Sequence, residues 1–151
     1  MVINILVDSS TKPTSLRQRY GESTAAWAMW NSATMNEPPI RCGINYFKHN
    51  GPNKTFYEGI IRALEQCLDY CRNDEVIIKG DCQCVIQQLN KEWKVVELEI
   101  QYRQVKALVS KYEKKQNQVK FQYIGESDPV YSKVDQLAKR GRGLIHNNLC
   151  R

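Results

Sequence analysis

No apolar run in this 151-residue chain approaches the length of a membrane span, so a helical transmembrane segment is excluded. The opening stretch, residues 1–8, is apolar but ends in an acid; it lacks a basic n-region and a small-residue cleavage site, so no secretion signal is expected. The CxxC spacing that commonly holds zinc is absent. No internal repeat, low-complexity tract or linker interrupts the chain. These absences leave a single ordinary domain, expected over residues 1–143, with 144–151 as a short C-terminal tail too weakly patterned to assign.

What is present fits that frame. Hydrophobic residues make up 42% and charged residues 25%, the balance of a folded globular protein with a real core. Six cysteines, Cys42, Cys67, Cys71, Cys82, Cys84 and Cys150, are enough for three disulfides, but their spacing argues for free thiols. Cys67 and Cys71 lie four apart on an apolar helical pattern, where cysteine behaves as a small core residue. Cys82 and Cys84 are too close in sequence for an easy bridge. Reduced thiols point to an intracellular chain, cytoplasmic or nuclear, and Asn53-Lys54-Thr55 is then a chance sequon rather than a glycan site. A net charge of +6 and a pI near 9.0 favour a polyanionic partner.

Residues 76–78 form a short apolar run broken by Gly80, followed by Asp81 and a helical pattern at Val85, Ile86 and Leu89. Taken alone, Asp81 reads as a helix N-cap. A second acid stands in a similar position: the strand-like run 2–7 ends on Asp8. Two acids at the ends of two core strands lie together at one sheet edge, where open α/β sheets keep their chemistry.

Between these runs, residues 9–15 are polar and read as a loop, and 23–32 read as a strand. Ile40, Cys42, Ile44 and Tyr46 alternate as a half-buried strand. Turn chemistry at 50–53 precedes a helix from Lys54, marked by Phe56, Ile60, Ala63, Leu64, Cys67, Leu68 and Cys71. Glu58 falls off that stripe, in the expected first turn, where an acid is favoured by the helix dipole. A second long helix is marked by Leu98, Tyr102, Val105, Leu108, Val109 and Tyr112, a last strand by Val119, Phe121 and Tyr123, and a final helix by Val130, Val134, Leu137 and Ala138. The order is βββαβαβα, which predicts an antiparallel meander followed by right-handed parallel crossovers.

That order, with acids in those places, resembles type 1 ribonuclease H over roughly residues 2–141, in the archaeal and plant-retroelement flavour. The motifs are Ile78-Lys79-Gly80-Asp81-Cys82-Gln83, Trp93-Lys94-Val95 in place of a basic protrusion, and Val134-Asp135-Gln136-Leu137-Ala138. The resemblance implies a ribonuclease H-like fold: a five-stranded mixed sheet of order 3-2-1-4-5 with helices on both faces. It assigns Asp8, Glu58, Asp81 and Asp135 as the carboxylates that hold two Mg²⁺ ions, with Mn²⁺ as a substitute, and hydrolyse the RNA strand of an RNA/DNA hybrid. It points to Ser9, Ser10, Asn53, Lys54, Thr55, Gln83 and Gln87 as nucleic-acid contacts. Lys91, Trp93 and Lys94 would meet the DNA backbone, with packing of the connection as the other role for Trp93. The implied chain is a monomer, or one domain of a larger reverse-transcriptase-like polyprotein, with no membrane partner.

The sequence departs from the family pattern in four places, the first hairpin lacking its usual glycines being one. Ser9 stands where glycine follows the first acid, Lys54 and Thr55 stand where the family carries paired asparagines, and Gly125-Glu126-Ser127-Asp128 replaces a loop with His or Arg. The competing readings are a ribonuclease H-like domain that binds nucleic acid or protein without cutting it, and an integrase- or resolvase-like nuclease, which the closing Asp-x-Leu-Ala helix and the chain length oppose.

Overall fold

The computed structural model describes residues 1–13, 20–31, 35, 37–48, 50–125, 127–129, 132 and 136. Three strands open the chain as an antiparallel meander: β1 (Val2–Pro13), β2 (Tyr20–Trp30) and β3 (Arg41–Lys48). Helix α1 (Pro52–Cys67) crosses to β4 (Glu75–Gly80), and α2 (Gln83–Leu89) with α3 (Glu99–Lys114) leads to β5 (Gln118–Tyr123). The sheet order is β3-β2-β1-β4-β5, with β4 parallel to both β1 and β5. This is the five-stranded mixed sheet expected.

Alternation along the central strands divides the core. Ile3, Ile5 and Val7 of β1, in register with Val76 and Ile78 of β4, point to the main core, which α1, α2 and α3 close. Leu6 belongs instead to a second cluster with Ala28, Trp30, Met35 and Ile124. Pro52 sits in the first turn of α1, where its missing N–H costs nothing, and the buried stripe Phe56, Ile60, Ala63, Leu64 and Cys67 follows at helical spacing. The buried Tyr112 hydroxyl donates to the Leu64 carbonyl at 2.6 Å, joining α3 to α1. Buried Asn117 accepts from the Asp74 N–H and donates to the Cys71 and Tyr112 carbonyls, so one amide satisfies three backbone groups around the start of β4.

Several local expectations are corrected. β1 does not stop at Asp8: residues 9–13 remain paired with β2, from Ser9 opposite Ala25 to Pro13 opposite Tyr20, so the polar stretch is strand rather than loop. Because α1 begins at Pro52, Glu58 lies in its second turn, beyond reach of the dipole argument; no acid occupies the first turn. The N-cap of α2 is Cys82, not Asp81. Ile40 precedes β3, and within it Cys42 and Tyr46 are exposed and Ile44 half-buried, since Gly43 lies against the Trp27 indole and sets the opposite side inward. Cys71 is buried but follows the end of α1. Of the final helix expected to start at Val130, only residues 132 and 136 are described, and both are helical; Cys150 lies outside the described residues. Cys42, Cys67, Cys71, Cys82 and Cys84 are all free thiols. No helix among the described residues is long and apolar enough to cross a membrane.

Candidate active site and nucleic-acid interface

Asp8 lies inside β1, but at a discontinuity. Pairing with β4 ends at Leu6 opposite Lys79, while pairing with β2 continues through Asp8 opposite Ala26. Continuing the parallel register sets Val7 beside Gly80 and Asp8 beside Asp81. The first of these is borne out by contact: a Cβ on Gly80 would stand 2.9 Å from the Val7 carbonyl oxygen. Val7 and Gly80 face the helices, so by the alternation of β1 Asp8 faces the other way, while Asp81 follows directly on the end of β4. Asp8 is only 3% exposed, and its Oδ1 accepts the Ser9 N–H at 2.8 Å; Asp81 is half-buried.

The second turn of α1 packs at the same level, on the side of the sheet to which Val7 points. The Phe56 ring reaches Gly80, and Gly59 abuts the Val7 side chain and Ala25, so Glu58 sits between two residues in contact with the β1 and β4 ends. Glu58 is half-buried. Gly80 and Gly59 are thus close-approach glycines: they let α1 down onto the sheet at the level where the acids stand. Asp135 lies outside the described residues. Among the described residues, no three Asp, Glu, His or Cys side chains converge closely enough to hold a metal ion. The donors nearest the β1 and β4 ends are carboxylate oxygens, and burial pushes the neighbouring Cys82 thiol up to about 11, against thiolate ligation. An oxygen-only donor set suits Mg²⁺, which takes one or two carboxylates and keeps its waters, rather than zinc.

The expected nucleic-acid contacts separate into accessible and spent groups. Gln83, Asn53, Lys91, Trp93 and Lys94 are exposed, and Ser9, Ser10, Lys54 and Gln87 are half-buried. Thr55 is corrected: it is fully buried, with its hydroxyl 2.8 Å from the Gly51 carbonyl and 3.0 Å from Ser23 Oγ, and so it serves the start of α1. Trp93 is 47% exposed, so about half of it is covered by the connection. Its backbone N–H, like that of Glu92, donates to the Gln87 carbonyl. Gln87 Oε1 is buried without a hydrogen-bond partner among the described residues.

A cleft of about 550 Å³ runs between the first turn of α1, helix α2 and the connection to α3, lined by Asn53, Lys54, Cys84, Gln88, Lys94 and Leu98 among others. Sequence reasoning found its two lysines and Asn53 but missed Cys84 and Gln88. Gln88 accepts a 2.6 Å hydrogen bond from Tyr57, which anchors the cleft floor to α1. Burial raises the Tyr57 phenol well above its ordinary range, so this donor stays protonated. Non-glycine residues with positive φ bracket the connection, Lys91 at 63° and Leu98 at 61°. Side-chain bonds from Asn90 to the Phe121 carbonyl and from Lys106 to the Leu89 carbonyl tie its root down.

Comparison with solved structures places this architecture. Ribonuclease H1 of the halophilic archaeon Halobacterium salinarum superposes with a TM-score of 0.75 at 16% identity, covering 95% of this chain and 98% of that one. LC11 ribonuclease H1, in complex with an RNA/DNA hybrid, gives 0.74 at 17% identity over 91% and 94%. The N-terminal ribonuclease H domain of a Mycobacterium tuberculosis protein, solved as a fusion with maltose binding protein, gives 0.73 at 15% identity over 98% and 99%. At these identities the likeness is one of fold. No curated protein matches the sequence. The family model described as reverse transcriptase-like matches residues 14–141, beginning beyond Asp8, whose position therefore rests on the sheet register. With that match over most of its length, the chain belongs to the reverse transcriptase-like family, and its fold is that of the ribonuclease H1 structures.

Proposed function

We propose that this protein is a metal-dependent endonuclease that hydrolyses the RNA strand of RNA/DNA hybrids, leaving 5′-phosphate and 3′-hydroxyl ends. The observation that supports the reading is that Asp8 of β1 and Asp81, just past the end of the neighbouring parallel strand β4, both lie near enough to Cys82 to add to the rise that burial gives its thiol. Asp8, Glu58, Asp81 and Asp135 would hold two Mg²⁺ ions. When bound, such ions activate water and stabilise a leaving oxygen. A hybrid complex of the LC11 enzyme, which shares this fold, supports the same substrate class here.

The chain's own groups supply position and charge. Buried Asp8, held by the β2 ladder and by the Ser9 N–H, is a rigid ligand, which favours reaction by keeping the acid from reorganising. Gln83 and the Ser9 and Ser10 segment lie next in chain to Asp81 and Asp8, and would meet the 2′-hydroxyls that a wide minor groove displays. Lys91, Trp93 and Lys94, exposed on the far side of α2, would meet the DNA strand's phosphates. In-line attack of water opposite the 3′-oxygen accounts for the ends produced.

The test is cleavage of a labelled RNA/DNA hybrid beside DNA duplex, RNA duplex and single-stranded RNA, with Mg²⁺ or Mn²⁺. Asp8→Asn is expected to reduce cleavage to background while hybrid binding persists or tightens. A second reading, a domain that binds hybrids without cutting, draws on the altered loops, Ser9 after the first acid and Gly125-Glu126-Ser127-Asp128 without His or Arg. Wild-type protein that binds hybrids but fails to cut with either metal would establish it.

A further inference from the structure

Strand β3 is an edge of the sheet, and among the described residues it pairs with β2 alone. It keeps one register with β2 from Arg41 opposite Met29 to Lys48 opposite Glu22, without bulge or proline. Its outer row of N–H and C=O groups is therefore regular, the kind of edge that takes up a further strand. Beside it, between β3 and α1, lies a hollow of about 210 Å³ lined by Trp27, Gly43, Asn45, Arg62 and Gln66 among others. Gly43 opens it: a Cβ there would stand 2.5 Å from Trp27 Nε1 and 2.6 Å from Cε2, so the indole edge lies where a side chain would be. Trp27 is only 4% exposed, yet its N–H has no acceptor among the described residues, whereas the Trp30 N–H donates to the Glu37 carbonyl at 2.7 Å. Arg62, exposed on the α1 rim, makes no ion pair among the described residues, whereas Arg41 is held by Asp69.

We propose that β3 takes up an extended acidic peptide as a sixth strand, with one of its aspartate or glutamate carboxylates seated in this hollow against Arg62 and the Trp27 N–H. Indole and guanidinium donate hydrogen bonds and accept none, so the group that completes them is an acceptor, and a charged one beside Arg62. The hollow is smaller than the roughly 300–1,000 Å³ of small-molecule pockets and suits a single side chain. In an added strand alternate side chains point to one face, so one of them enters the α1 side while the main chain pairs with β3. Main-chain bonds then supply affinity, and the hollow supplies the preference for an acid. The net charge of +6 favours an acidic partner. A second copy of β3 fits less well, because two-fold pairing centred on the strand sets Arg41 opposite Lys48 at both ends.

The experiment adds a capped nonapeptide of alternating threonine and valine, its central threonine replaced by aspartate, to the full chain labelled with nitrogen-15. The same peptide with asparagine at the centre is the control. The Trp27 indole N–H signal is expected to move downfield as it gains an acceptor, while those of Trp30 and Trp93 stay. Every second β3 amide, those turned away from β2, is expected to become protected from hydrogen exchange. The aspartate peptide should bind about tenfold tighter than the asparagine one, the scale of a hydrogen bond to a charged group. Arg62→Ala, a change at an exposed site, should remove that difference. The proposal is overturned if millimolar peptide leaves the Trp27 signal and the β3 amides unmoved, if the two peptides bind alike, or if Arg62→Ala preserves their difference. It is overturned too if an RNA/DNA hybrid moves the Trp27 signal and the peptide does not, or if β3 amides are protected without peptide in proportion to protein concentration, which would place a second copy on the edge.

Discussion

Gly80→Ala tests the close approach on which the acid pair depends. The added methyl would stand 2.1 Å from Phe56 Cζ, 2.7 Å from Phe56 Cε2 and 2.9 Å from the Val7 carbonyl oxygen, all below any real Cβ contact. Neither neighbour yields easily: the Phe56 ring is fully buried under α1, and Val7 belongs to the central strand. In the mutant's favour are one buried methyl, about 0.8 kcal/mol, and the lost backbone freedom of unfolded glycine, about 0.4–1 kcal/mol. Against it stands overpacking, for which forced shifts in a dense core cost about 1–3 kcal/mol or more. Contacts this short belong at the upper end, so the net expected loss is about 1.5 kcal/mol. At a urea slope of about 2 kcal/mol per molar, the midpoint falls by about 0.7 M. Phe56→Leu alone costs stability by leaving a gap, yet with Gly80→Ala it makes room for the methyl. The double variant should therefore lose less than the sum of the singles by at least about 1 kcal/mol. Urea unfolding of the four proteins measures both quantities. A single mutant within about 0.5 kcal/mol of wild type, or strict additivity, would refute the steric argument.

Thiol accessibility gives a second expectation. In native protein a thiol reagent should label Cys42 and Cys84 before Cys67 and Cys71, which burial closes to solvent and pushes up to about 12 and about 11; peptide mapping of a labelling time course checks the order. A third concerns Arg41, which grips both Asp69 oxygens and the Gln66 carbonyl, tying edge strand β3 to the end of α1. Its guanidinium holds the Asp69 carboxyl below the ordinary range, so the contribution is present above that range and fades as pH falls through it. The melting temperature of wild type should therefore exceed that of Asp69→Asn at neutral pH and converge with it in acid. Finally, Lys91→Ala with Lys94→Ala should make hybrid binding less salt-dependent, by about 0.7–0.9 in log–log slope for each phosphate no longer neutralised. An unchanged slope places the DNA strand elsewhere.

The periodic parts of the fold were legible in the sequence. Val76 to Ile78, the α1 stripe and the α3 stripe each carry their own period, and burial followed it. Asp81 was legible as an acid at a strand end because Gly80 marks that end. What could not be read locally was decided by partners far along the chain. Residues 9–13 look like loop by composition, yet β2 holds them as strand. The inward side of β3 is set by Trp27 beneath Gly43, not by the apolar alternation of β3 itself. The cleft needs Asn53 beside Cys84, a meeting of two helix starts that no spacing announces.

The strict alternation of β1 has an evolutionary consequence. Val7 enters the core and Asp8 faces the other way, so the same strand sets both packing and acid position by odd and even residue number. A one-residue insertion or deletion within residues 2–7 would exchange the two sides, sending a carboxylate among the helices and an apolar side chain to the acid face. No later adjustment at Asp81 or Glu58 could repair that exchange. Length variation among descendants of this chain should therefore collect at strand connections and spare this segment, while substitutions within it remain tolerable wherever polarity and side agree.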